Sequence, residues 1–195
     1  MIDFADVHDQ MKAHGMNLPK SKVNISIPGA KVILENCFKY FLGLENTGFI
    51  WQSEYEKVAN WLENNNGKGL MLYGDCGRGK SVLCRYVLPA ILLKYQNKVV
   101  SVYDVQEINT KLDEVLNKHI ISIDDIGTEE ISVNFGNKRL AFSEIIDFAE
   151  KYGKLIIIST NLNAKELKEK YGERVIERIV STMSHIEFKG KSLRK

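Results

Sequence analysis

The apolar positions of the chain change their period near residue 67. Before that point they recur every three or four residues over 4–14, 30–42 and 53–63, the spacing of helices that bury one face. Loops holding Pro19, Pro28, Gly43 and Gly48 separate these stretches. After Asn64-Asn65-Asn66-Gly67, short apolar runs alternate with helical stretches. The runs at 69–73, 99–105, 120–123, 155–158 and 185–188 read as strands, and 81–95, 106–117, 138–152 and 173–183 as helices. A short helix is expected from the capping-box pattern Asn163-Ala164-Lys165-Glu166 up to Gly172. This alternation predicts a parallel sheet with helices on both faces, and the near-continuous apolar run at 120–123 suits a strand covered on both sides.

Composition narrows the picture. A chain of 195 residues with 44% hydrophobic content supports one sizeable core and a modest appendage. We therefore expect a helical N-terminal segment over 1–48 and a core domain over 49–195. The net charge of +2 gives no bulk electrostatic argument for nucleic acid, and the densest basic stretch is C-terminal: Lys189, Lys191, Arg194 and Lys195. No apolar run reaches bilayer length and the first residues are acidic where a secretory signal is basic, so a cytoplasmic protein is expected. Cys37, Cys76 and Cys84 are odd in number, lack metal-ligand spacing and read as reduced thiols.

The chemistry concentrates in Gly74-Asp75-Cys76-Gly77-Arg78-Gly79-Lys80-Ser81, which fits the phosphate-loop pattern G-x-x-x-x-G-K-[ST] between a predicted strand and a predicted helix. Its glycines let successive N–H groups turn toward phosphates, Lys80 reaches the β- and γ-oxygens, and Ser81 offers a hydroxyl to Mg²⁺. The third strand runs into Asp124-Asp125. A carboxylate at that strand end meets the Mg²⁺ of the phosphate loop, which assigns Asp124 to the metal and Asp125 to orienting and deprotonating the attacking water. Glu129, with its longer side chain, is the alternative base.

The phosphate loop, Ile121-Ser122-Ile123-Asp124-Asp125-Ile126-Gly127, Ile158-Ser159-Thr160-Asn161-Leu162 and Gly172-Glu173-Arg174-Val175-Ile176-Glu177-Arg178-Ile179 follow one another in the order found in AAA+ ATPases. Over roughly 51–194 the chain resembles the DnaC/DnaI-type helicase loaders and the related IstB-type transposition helper ATPases. The resemblance implies an α/β P-loop NTPase core whose parallel five-stranded sheet has its fourth strand between the first and third. It implies ATP and Mg²⁺ as cofactors, Asn161 as a sensor of the γ-phosphate, Arg178 as an arginine finger acting on a neighbouring subunit with Arg174 in support, and Arg194 as a second sensor. It also implies a replicative DNA helicase as partner, a nucleotide-dependent homo-oligomer, and single-stranded DNA as a further contact. The 1–48 segment lies outside the nucleotide machinery and carries Ile33, Cys37, Tyr40 and Phe41 at helical spacing on one side, so it is the expected docking site for the partner.

Blander readings stand beside these. Asn161 also suits a helix cap or turn, and Arg174 and Arg178, spaced i, i+4, also suit ion pairs with Glu173 or Glu177 on their own helix. The chain departs from the family in having about one helix between its second and third strands, where loaders carry an extra insertion that grips single-stranded DNA, and in Lys151-Tyr152 where arginine precedes the tyrosine. Competing functions are a transposition helper, a small-molecule kinase, for which an arginine-rich lid is missing, and a nucleotide-dependent interaction module with little hydrolysis, which Asp125 in place of glutamate leaves open.

Overall fold

The computed structural model describes residues 3–18, 20–129, 132–134, 137–139 and 141–193. Three helices come first: α1 (Phe4–Ala13), α2 (Ala30–Leu44) and α3 (Ser53–Glu63). The strand β1 (Gly69–Gly74) leads through the phosphate loop into one helical run, made of α4 (Lys80–Val82), a π-helical turn (Leu83–Val87) and α5 (Leu88–Gln96). Then follow β2 (Ser101–Asp104), α6 (Leu112–Asn117), β3 (Ile120–Ile126), the hairpin β4 (Ser132–Asn134) and β5 (Asn137–Arg139), α7 (Ala141–Tyr152), β6 (Leu155–Thr160), α8 (Ala164–Tyr171), α9 (Glu173–Thr182) and β7 (Met183–Phe188).

The main sheet is parallel in all its pairings and ordered β2-β3-β6-β1-β7. β6 therefore lies between β1 and β3, with Leu70 opposite Ile157 on one side and Ile121 opposite Ile156 on the other. This is the P-loop NTPase arrangement that the alternating pattern and the resemblance led us to expect. Because successive strand side chains point to opposite faces, Leu70 and Leu72 enter a core with Leu34, Phe38, Leu62, Leu83 and Leu88, whereas Met71, Ile121 and Ile123 pack with Phe142, Ile145 and Ile179.

The N-terminal residues divide in their packing. α1, capped by Asp3, buries none of its residues. By contrast Val23, Ile25 and Ile27 alternate inward along an extended stretch that Asn65 clips in place: its side chain accepts from the Ile25 N–H and donates to the Val23 and Lys68 carbonyls. α2 then contributes Ala30, Leu34 and Phe38 to the same core as β1. Asn65 thus joins the N-terminal stretch to the sheet.

Three local features differ from the sequence reading. The helix expected over 106–117 is shorter, because the Glu107 carboxylate accepts from the Asp104 N–H and holds the residues after β2 in turns. The helix expected from residue 138 starts at Ala141, since Asn137–Arg139 pairs antiparallel with Ser132–Asn134. β3 continues past Asp124 to Ile126 with an irregularity between Ile123 and Ile126, and within it Asp125 takes a left-handed φ of 62°.

Candidate nucleotide-binding site

The phosphate loop, the Asp124-Asp125 pair and Asn161 lie at or beyond the C-terminal ends of β1, β3 and β6, three neighbouring strands, where ligands of open parallel sheets bind. In the loop Gly77 and Gly79 have φ of 72° and 87°, a backbone that side chains with a Cβ resist. Gly77 has a second constraint: a Cβ there would stand 2.1 Å from the Ser192 hydroxyl.

That close approach belongs to a brace on the outside of the loop. The Leu193 N–H donates to the Gly77 carbonyl at 2.8 Å and the Asp75 N–H to the Phe188 carbonyl at 2.8 Å. The Gly190 N–H donates to the Asp75 carboxylate at 2.8 Å. From the other side Tyr55 donates its hydroxyl to the Arg78 carbonyl at 3.0 Å, and the buried Arg78 guanidinium donates to Glu54 at 2.7 Å, Gln52 at 2.9 Å and the Lys191 carbonyl at 3.1 Å. With its guanidinium engaged in this way, Arg78 has its backbone left to offer a phosphate. Asp75 and Cys76 are exposed, and Cys76 is a free thiol.

Lys80 is buried and donates to the Gly74 and Asp75 carbonyls at 2.8 and 2.7 Å, closing the loop on itself. Burial lowers its affinity for a proton, an effect that Cys76, Asp125, Asp75 and Asp124 oppose. Ser81 is half-buried at the start of the helical run. Asp124 is 2% exposed. Its Oδ1 accepts from the Ser159 hydroxyl, and its Oδ2 accepts from Arg85 Nε at 2.6 Å. Asp125 donates its N–H to Ser159 Oγ at 2.9 Å and accepts from the Asn161 amide at 2.9 Å. Its carboxyl pKa is raised, first by burial and then by the Asp124 charge, with Lys80 pulling the other way. A single serine thus orients both aspartates.

A hydroxyl and a carboxylate are hard oxygen donors of the kind Mg²⁺ takes, so Ser81 and Asp124 fit that ion by chemistry. Among the described residues no group of three or more His, Cys, Asp or Glu could hold a metal by itself. The remaining ligands of such an ion would be phosphate oxygens and water.

Other expected residues are engaged elsewhere. Glu129 is buried, its carboxylate accepting from the Tyr171 hydroxyl and from the Gly127 N–H at 2.8 Å and pairing with Lys170 at 3.5 Å. As a structural anchor for α8 it is a poor alternative base. Arg178 binds Asp147 and, at 2.6 Å, Glu150, both on α7, and Arg174 lies 3.6 Å from Asp147. The partners are on the neighbouring helix, and Glu173 pairs with Lys168 instead. None of the Arg178 contacts reaches the phosphate loop of its own chain. Arg194 lies outside the described residues.

The sequence reading missed Arg85, Asp104 and Ser159. Arg85 also donates to Asp104 Oδ2 at 2.8 Å, and Asp104 pairs in register with Asp124 across β2 and β3. The two carboxylates hold the Arg85 proton tightly, Asp124 most strongly. An aspartate closing the second strand as another closes the third was the available signal for Asp104, and a polar Ser159 within an apolar strand was the signal for the serine.

A family model described as Novel STAND NTPase 3 matches residues 49–194, the larger part of the sequence and the whole of the site. The chain belongs to this family. As a STAND NTPase it carries a nucleotide-binding domain, and its fold is shared with solved replication proteins. The DnaC helicase loader superimposes with a TM-score of 0.59 at 23% identity, covering 73% of this chain and 94% of that one. DnaI gives 0.50 at 25% identity, with 65% and 73% covered. AMPPCP-bound DnaA from Aquifex aeolicus gives 0.54 at 19% identity, with 75% and 49% covered. No curated protein sequence matches this STAND NTPase. Among the described residues no helix is long and apolar enough to cross a membrane.

Proposed function

We propose that the chain is a Mg²⁺-dependent ATPase that places or remodels a replicative DNA helicase in the cytoplasm and works as a nucleotide-dependent homo-oligomer. The observation that carries the reading is the convergence of Lys80, Ser81, Asp124, Asp125 and Asn161 on three adjacent strand ends, in a fold shared with a helicase loader. The glycine-curled loop and Lys80 bind the triphosphate. Ser81 and Asp124 would hold Mg²⁺, which when bound would supply charge neutralisation on the phosphates. Asp125 accepts a proton from the attacking water, and Asn161, already in contact with Asp125, aligns it. Arg178, released from Asp147 and Glu150, completes a neighbouring subunit's site. Docking of the helicase falls to the N-terminal segment, where α1 is unpacked and Val32, Tyr40 and Leu44 of α2 are exposed. Single-stranded DNA is a further ligand on this reading, met by local contacts.

One observation favours a second reading, a nucleotide-dependent interaction module with little hydrolysis. Asp125 is short for a base, has its backbone in the left-handed region and is already bonded to Asn161. ATP turnover measured with and without helicase and single-stranded DNA separates the two: stimulation by helicase supports loading, and flat, near-background turnover supports the module. Lys80→Ala tests what both share, because it removes a cation from a water-poor site and should weaken ATP binding about tenfold or more. Unchanged affinity in a folded Lys80→Ala protein would sink both.

A further inference from the structure

We propose that Arg85 is the resident counter-ion of Asp124, keeping that carboxylate paired so that a divalent cation enters only in company with the nucleotide's phosphates. The inference rests on the nucleotide-site reading above and concerns a residue that acts through Asp124, a positioning residue.

The arrangement is built in from several sides. Pro89 has no N–H to give the Arg85 carbonyl, so the normal helical bond cannot form there. The run widens instead into the π turn Leu83–Val87, closed by the Leu88 N–H donating to the Leu83 carbonyl. Ser122 on β3 fastens this turn to the sheet by donating its hydroxyl to the Cys84 carbonyl at 2.8 Å. Arg85 leaves the turn with Nε on Asp124 Oδ2 at 2.6 Å and Nη2 on Asp104 Oδ2 at 2.8 Å. A planar fork is needed to bridge two carboxylates on neighbouring strands, which a lysine ammonium does less well.

Both oxygens of Asp124 therefore have protein partners, Arg85 and Ser159. Lys80, the other cation of the site, is likewise satisfied by two loop carbonyls, and the neighbouring carboxylates of Asp104 and Asp125 are engaged by Arg85 and Asn161. A bare Mg²⁺ or Mn²⁺ approaching Asp124 meets the repulsion of a guanidinium only one hydrogen bond away, with few other protein oxygens to replace its hydration shell. A triphosphate changes both terms, since it adds negative charge and oxygen ligands together.

The test uses the full chain and Mn²⁺ alone as probe, with bound ion read by electron paramagnetic resonance in the absence of nucleotide. Arg85→Gln should bind Mn²⁺ about tenfold or more tightly than the wild type, because it removes the repelling charge next to a buried carboxylate. Arg85→Lys, which keeps the charge, should stay close to the wild type, and adding Asp124→Asn to Arg85→Gln should erase the gain. Equal or weaker Mn²⁺ binding by Arg85→Gln overturns the inference, as does an equal gain in Arg85→Lys. Should Arg85→Gln lose its fold, the wild type still decides: Mn²⁺ bound alone as tightly as with a non-hydrolysable ATP analogue refutes the counter-ion role. A fluorescent ATP analogue with Mg²⁺ separates the two levels of the reading. If the wild type fails to bind it, the nucleotide reading falls; if it binds and Arg85→Gln gains no Mn²⁺, the counter-ion alone falls.

Discussion

Removing residues 1–48 should unfold the chain, whereas removing residues 1–18 should leave it intact, and the difference follows from burial. α1 buries nothing, so its loss belongs with surface changes worth about 0.5 kcal/mol or less. Residues 23–44 are different, since Val23, Ile25, Ile27, Leu34 and Phe38 are all buried in the core that carries β1. At about 1.5–3 kcal/mol for each large apolar side chain, losing the five costs roughly 8–15 kcal/mol. That is an upper figure, because a real unfolded chain is partly collapsed. It still matches the whole stability of an ordinary domain, about 5–15 kcal/mol. Phe38→Ala tests the same point without truncation. Its ring is fully buried, packs at a tilt against Phe49 and Tyr55, and lies 3.4 Å from the position of a Cβ on Gly79, directly against the phosphate loop. We expect a loss of about 3–5 kcal/mol, hence a melting temperature lower by roughly 6–20 °C in a chain of this size, together with weaker nucleotide binding. Far-UV circular dichroism melts and titration with a fluorescent ATP analogue read both effects, with Phe4→Ala as a surface control. A fragment of residues 49–195 that melts cooperatively within a few degrees of the full chain would refute the reasoning.

The roles proposed for the remaining residues make separate predictions. Asp125→Asn should retain nucleotide binding and lower turnover by about two orders of magnitude or more, the scale of a lost general base, while Glu129→Gln should chiefly lower the melting temperature by loosening Tyr171 and Lys170; the reverse pattern in turnover moves the base to Glu129. Mixing Arg178→Ala with Lys80→Ala should recover part of the turnover, as each mixed interface can restore one composite site, and a mixture as inactive as its components leaves Arg178 as the clamp between α9 and α7. Glu54→Gln removes the charge opposite the buried Arg78 and should cost about 2 kcal/mol or more with a weaker phosphate loop; an unchanged melt and unchanged ATP affinity would show that Gln52 and Lys191 suffice. Truncation of residues 1–18 should abolish co-purification with helicase if α1 is the docking element, and retained binding moves the partner site to the core.

What could be read from the sequence, and what could not, divides by the range of the interactions responsible. The phosphate loop, the capping box at Asn163 and the strand leading into Asp124-Asp125 are local patterns, each set by residues a few positions apart, and each is found where its pattern put it, although the strand runs on to Ile126. The Asn64-Asn65-Asn66-Gly67 stretch was legible as a boundary only. Its function as a clip depends on Asn65 meeting Val23 and Ile25, some forty residues earlier, which no local periodicity encodes. The same holds for Arg85: its position in an amphipathic helix is unremarkable until Pro89 and Ser122 turn the backbone and two strands bring Asp104 beside Asp124. Charged groups are the hardest case, since Arg78 falls inside the phosphate loop and Arg178 reads as a finger, yet each has carboxylates within reach in its own chain. An arginine buried against Glu54 is costly to free, because its guanidinium would leave an unpaired carboxylate behind. Arg178 is less buried and its partners face solvent, so screening makes that pair weaker and its release easier. The two arginines therefore differ in what they can still do: Arg78 is fixed to the loop it shapes, whereas Arg178 is held weakly enough to exchange partners, as the finger role proposed for it requires.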